Sequence, residues 1–202
     1  MATTAKTKAL SLGLTDAGAI LLIFLVPALS HLTAVPFYLA DPMRLAVLGA
    51  LLITRNWKNS LALAVALPLV SFAISGHPVF PKCLVIATEL SVNVLLFAWL
   101  AGRALKASSA AATEGAAAGA ATGRAATEGA AAGAASGRAA SAGLIGLAAF
   151  ASILVSKVFY YGLKALVLSA GLLQMELVAT ALWIQLIVAV AISLAAALRF
   201  RQ

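Results

Sequence analysis

Apolar stretches long enough to cross a bilayer follow one another along this chain, separated by short basic segments. A helix needs about 20 apolar residues to traverse the hydrocarbon core. Residues 17–38 form the first run, with Pro27 and Pro36 read as bends. The second, 43–54, is short, opened by Asp41 at the N-cap and Pro42 at the first helical position. It rises only ~21 Å, so it must lie inside a bundle or beside thin lipid. The third, 60–75, is closed by a Gly76-His77-Pro78 turn, and 83–101, 144–172 and 176–198 complete the set. With 63% hydrophobic and 10% charged residues, the chain falls far below the roughly 25% charge of soluble domains. The expectation is an all-α polytopic membrane protein, a bundle of six transmembrane helices.

Charge sets the orientation. With both termini cytoplasmic, the inner segments carry Lys6, Lys8, Arg55, Lys58, Arg103, Lys106, Arg124, Arg138, Arg199 and Arg201. The outer segments carry Arg44 and Lys82 alone, so the positive-inside rule favours this topology at every loop. A competing reading takes Lys6, Lys8 and the apolar stretch ending at Ala28-Leu29-Ser30 as a secretory leader. The apolar run continues past that point, which favours a span. The expected organisation is a cytoplasmic segment 1–16, helices one to four over 17–101, a linker 102–143, helices five and six over 144–198, and a tail 199–202.

The linker holds a tandem repeat. Residues 111–124 (AATEGAAAGAATGR) recur as 125–138 (AATEGAAAGAASGR), differing only at Thr122 and Ser136. The copies hold no large apolar side chain to build a core, and Glu114, Arg124, Glu128 and Arg138 bar them from hydrocarbon. They read as a low-complexity cytoplasmic linker, with a tethering segment as the alternative.

Three charges fall within the apolar runs: Glu89, Lys157 and Lys164. Each costs on the order of 3 kcal/mol near the bilayer centre, so each needs a reason. Counting inward from the outer surface puts Glu89 level with Lys164, and Asn93 level with Lys157 nearer the midplane. Glu89 and Asn93 stand about 40° apart on one helix face, and Lys157, Tyr161 and Lys164 fall within about 60°, with Tyr160 at the edge. One reading is a structural Glu89–Lys164 ion pair with packed tyrosines. The other is an outward-facing pocket of Glu89, Asn93, Lys157, Tyr160, Tyr161 and Lys164, suited to a small anionic or zwitterionic ligand. His77 and Cys83 alone make a weak metal pair, and no cofactor is expected. Gln174 and Glu176 read as solvated loop residues. Ser156 and Ser169 read as bonding to their own helix.

SGHPVFPK before the fourth run, ATELSVNVLLF within it and SKVFYYGLK in the fifth resemble one family. It is the substrate-binding (S) components of energy-coupling-factor (ECF) vitamin transporters of bacterial plasma membranes. The resemblance covers most of 15–105 and 144–198. It implies capture of a vitamin-like micronutrient near the outer face, then docking on a membrane coupling protein driven by two ABC-type ATPases. Glu89 and Asn93 match the polar pair of that family's fourth helix; Lys157, Tyr161 and Lys164 match positions of the fifth. The family's Ala-x-x-x-Ala docking pattern on helix one is missing. Here the first span offers Ser30-x-x-x-Ala34, while Ala46-x-x-x-Ala50 and Ala62-x-x-x-Ala66 lie on the next two.

No Gly-x-x-x-x-Gly-Lys-Ser/Thr loop occurs, so any ATP hydrolysis belongs to partners. A membrane-embedded enzyme would need clustered acids or paired histidines. The two aspartates, Asp16 and Asp41, fall on opposite sides of the expected topology. The expectation is a non-enzymatic, ligand-capturing subunit without nucleic-acid partners, with a ligand-free assembly subunit as the alternative.

Overall fold

The computed structural model describes residues 2–34, 39, 41–76, 78–121, 126–172 and 182–201. Among them the chain forms six helices: α1 (Ala2–Thr33), α2 (Pro42–Thr54), α3 (Trp57–Ser75), α4 (Phe80–Ala121), α5 (Ala126–Ser169) and α6 (Leu182–Arg201). Five of these are long and apolar enough to cross a membrane. The exception is α2, at 13 residues. The chain is an all-α, multi-pass membrane protein. His77, Arg124, Gln174, Glu176 and Pro36 lie outside the described residues, as do the side chains of 115–138.

Short α2 is tolerated because it lies in the bundle rather than beside it. Arg44, Ala46, Val47, Leu48, Ala50 and Leu51 are buried along its length. Asp41 caps it as expected, its carboxylate accepting from the Arg44 amide. Arg55 adopts a left-handed conformation to close α2, and Asn56 caps α3, whose Ser60, Leu63, Ala64, Leu67 and Pro68 bury one stripe.

The most extensive packing joins α4 to α5. Buried Cys83, Ala87, Leu90, Val94, Phe97 and Ala101 recur at alternating spacings of four and three. Ala142, Ile145, Ala149, Ser152 and Ser156 do the same on α5. That spacing keeps a narrow seam facing a partner, as in antiparallel coiled coils. Both helices continue into the repeat: α4 covers most of the first copy and α5 most of the second. At 42 and 44 residues they outreach a hydrocarbon core of about 30 Å. Alanine's helix propensity prevails over the repeat glycines along the described backbone.

Contacts between helices fix which ends lie together. Asp16 on α1 accepts from Asn59 Nδ2 on α3 at 2.7 Å, and the Arg55 guanidinium lies 4.7 Å from the Phe200 ring centroid on α6. The start of α1 and the end of α6 therefore share one end of the bundle. Exposed Trp57 and Trp99 sit there beside Lys58 and Arg103, the aromatic and basic pairing of a membrane–water boundary. This is the end that the charge count assigns to the cytoplasm. The starts of α2 and α6, the first turns of α4 and the last turns of α5 lie at the other.

Candidate functional site

At that other end the bundle buries charge. Arg44 (1% exposed), Glu89 (3%), Asn93 (1%) and Lys164 (2%) are withdrawn from the surface on α2, α4 and α5. Arg44 is the residue that the sequence misplaces. Expected as an outer-face topology charge, it projects from the first turn of α2 into the core, where its Nη2 donates to Glu89 Oε1. Its Nε donates to Asp41 Oδ2 at 3.1 Å, and its Nη1 reaches Ser156 Oγ at 3.4 Å. Helix α2 brings it there by starting at the depth of Glu89, because the segment is too short to begin at the outer surface and still reach Arg55.

Lys157 bridges two carboxylates. Its Nζ lies 3.0 Å from Asp41 Oδ2 and 3.1 Å from Glu89 Oε1. Asp41, expected only as a helix cap, is therefore a full member of the site. Burial alone would raise its carboxyl pKa, but facing Lys157 and Arg44 outweigh burial and hold it down at about 2.

The expected depth levels need one correction. Asn93 Nδ2 donates to Ser156 Oγ at 2.9 Å, which sets the antiparallel register of α4 and α5. Four residues further out on each helix, Glu89 stands opposite Tyr160. Lys157 and Lys164 flank Tyr160, with ammonium nitrogens 5.2 and 6.0 Å from its ring centroid. Glu89 thus draws its ion pairs from Arg44 and Lys157, rather than standing level with Lys164 alone as the depth count has it. Ser156 does bond to its own helix, donating to the Ile153 carbonyl at 2.9 Å, but it also accepts from Asn93. Asn93 Oδ1 has no hydrogen-bond partner among the described residues.

The two tyrosines meet edge to face, centroids 5.3 Å apart, yet serve different neighbours. Tyr160 stays with the lysines, whereas the Tyr161 hydroxyl accepts from Gln185 Nε2 on α6 at 3.0 Å. Beside that contact lies a cavity of about 310 Å³ between α5 and α6. Lys157, Tyr161 and Gln185 border it, but its surface is almost entirely apolar, with Leu154, Trp183 and Leu186 among the residues that line it. Of the six expected residues, Glu89, Asn93, Lys157, Tyr160 and Lys164 gather in or beside the charged cluster, and Lys157 and Tyr161 also line the cavity. Arg44, Asp41, Ser156 and Gln185 are additional members. The one sequence signal for the first two is an Asp-Pro-x-Arg start on a helix too short to span.

No family model, curated protein or solved structure matches the chain. Among the described residues, no group of three or more His, Cys, Asp or Glu side chains is placed to hold a metal ion. Among the described residues the site comprises a cluster of buried ion pairs, an amide oxygen without a hydrogen-bond partner, and a cavity at the small end of the about 300–1,000 Å³ range of ligand sites.

Proposed function

We propose that this chain is the substrate-capturing membrane subunit of a micronutrient uptake transporter of the ECF type, in a bacterial plasma membrane. The observation that carries the reading is the juxtaposition of a buried ion-pair cluster with a cavity that shares Lys157 with it. Buried charge is expensive in a membrane and marks ligand or ion sites by default. The ligand is a small vitamin-like molecule bearing an acidic group, bound from the outer face. No chemistry is assigned to the site. Energy comes from a membrane coupling protein and its ABC-type ATPases. Exposed Ala62 and Ala66 on α3 offer a small-residue surface for that partner.

Binding to purified protein tests the reading. A vitamin or precursor should bind at micromolar or tighter affinity and be lost in Glu89→Ala and Lys164→Ala. Absence of binding across a panel of vitamins and precursors refutes it.

A second reading draws on the completeness of the ion pairs around Glu89: an assembly subunit in which the cluster only locks the bundle. Exchanging the pair, Arg44→Glu with Glu89→Arg, separates the two. Restored fold together with restored uptake favours the lock; a stable protein without uptake favours the ligand site.

A further inference from the structure

The two ends of the bundle treat their basic residues in opposite ways. At the outer end Arg44 and Lys157 are each paired with carboxylates. At the cytoplasmic end Arg55, Lys58, Arg199 and Arg201 are exposed, and none of them forms an ion pair among the described residues. Asp16, the acid on α1 at that end, accepts from Asn59 instead.

Packing draws these four cations together from opposite ends of the sequence. Phe200 packs against the bundle core, and the Arg55 guanidinium lies 4.7 Å from its ring centroid. That contact pins the last turn of α6 to the turn between α2 and α3. Arg199 and Arg201 stand on either side of Phe200, each about 100° from it around the helix. Arg55 is fixed from its own side too, its amide donating to the Leu51 carbonyl where it closes α2. Lys58 follows in the first turn of α3, its ammonium 5.9 Å from the Trp57 ring centroid.

Apolar surface adjoins the cations. Helices α2 and α6 both run toward the cytoplasmic end, so Ile53 (59% exposed) and Leu198 (60%) lie on the membrane side of Arg55 and Arg199. Exposed Trp57 marks the boundary, since indole rings settle at headgroup level. The cations therefore stand at the height of lipid phosphates, with aliphatic side chains beneath them at the height of acyl chains. Three of the four are arginines, whose planar forks match phosphate oxygens in pairs. A zwitterionic headgroup would bring an ammonium of its own into the same field, so the patch favours a headgroup with net negative charge.

We propose that the α2–α3 turn and the last turn of α6 form a site for one anionic phospholipid of the inner leaflet. Arg55, Lys58, Arg199 and Arg201 surround its headgroup, and Ile53, Trp57 and Leu198 meet its chains. The site lies at the opposite end of the bundle from the ligand cluster and does not depend on the transport reading.

Trp57 provides the reporter. With Trp99→Phe and Trp183→Phe as background, the full chain is placed in phosphatidylcholine nanodiscs. Phosphatidylglycerol with brominated chains, which quench indole fluorescence on contact, is compared with brominated phosphatidylcholine at equal mole fraction. The anionic lipid should quench Trp57 more strongly. Arg199→Gln with Arg201→Gln leaves Phe200 in place and should remove most of that preference, by up to about fivefold per charge. Arg103→Gln with Lys106→Gln takes the same charge from α4 and should leave the preference intact. Equal quenching by the two lipids overturns the inference. So does an equal loss in both pairs of variants, which would mean diffuse attraction to the whole cytoplasmic surface. Inorganic phosphate, added at constant ionic strength, should not compete; if it abolishes the preference, the assignment to a lipid is overturned.

Discussion

Arg44→Gln is the substitution on which the geometry and the sequence pattern disagree most. As an outer-loop charge, Arg44 could be replaced within about 0.5 kcal/mol, the range of ordinary surface changes. As a buried partner of Glu89 and Asp41, it leaves an uncompensated carboxylate, and breaking such a pair costs about 3–5 kcal/mol. Lys157 limits the damage, because its ammonium stays 3.1 Å from Glu89 and 3.0 Å from Asp41. The expected loss is therefore at the low end, about 3 kcal/mol, or roughly a hundredfold in the folded-to-unfolded ratio. Equilibrium unfolding in mixed SDS and mild-detergent micelles measures it, with Lys82→Gln, the other charge assigned to the outer face, as the neutral control. Adding Glu89→Gln to Arg44→Gln removes the stranded charge and should recover a large part of the loss, giving a coupling energy of about 1–3 kcal/mol. An Arg44→Gln protein as stable as the Lys82→Gln control would refute the buried network and return Arg44 to the surface.

Gly146→Val should destabilise the bundle by about 1–3 kcal/mol, because the new side chain meets Ala197 and the Ser193 carbonyl; Gly18→Val, with open space at its Cβ, is the control in the same unfolding assay. Asn56→Ala removes the acceptor for the Asn59 amide and should cost about 1 kcal/mol at the start of α3. The Asp41 carboxyl, held at about 2 in the folded protein against 3.8 unperturbed, contributes stability that is present above about pH 4 and lost as pH falls through 2. Stability profiles between pH 5 and 2 should show that acid limb in the native chain and a shallower one in Asp41→Asn. Deleting one repeat copy, residues 125–138, should leave ligand binding unchanged; loss of binding would give the segment a role beyond linking.

Helix number and type were legible because length and hydropathy decide them in a bilayer, and those are properties of runs rather than of single residues. Boundaries moved where the apolar pattern was a poor guide. The first helix begins at Ala2, well ahead of the apolar run at 17, and α4 and α5 persist into the Ala-rich repeat where no hydrophobic signal could mark them. Within the site, Glu89, Lys157 and Lys164 stood out because charge inside a hydrophobic run is conspicuous. Asp41 and Arg44 did not, because they sit where a loop charge and a helix cap are both ordinary. Their partners, Glu89 and Lys157, lie 45 or more positions away in sequence, a separation no local pattern encodes.

The burial of Arg44 also changes what the charge distribution means. Positive-inside counting treats every basic residue outside a span as a vote on orientation, and Arg44 was one of two votes for the outer face. Removed into the ion-pair cluster, it leaves Lys82 as the outer basic residue against ten on the inner side, so the orientation is more strongly biased than the raw count implies. The same step raises the charged residues drawn into the bundle from three (Glu89, Lys157 and Lys164) to four and admits Asp41 as their neighbour. A short α2 then follows as a requirement of the site: a full-length span would carry Arg44 up to the outer headgroups, away from Glu89. The 13-residue helix holds the guanidinium at the depth of the carboxylate, so the segment least able to cross the membrane sets the position of the site's strongest cation.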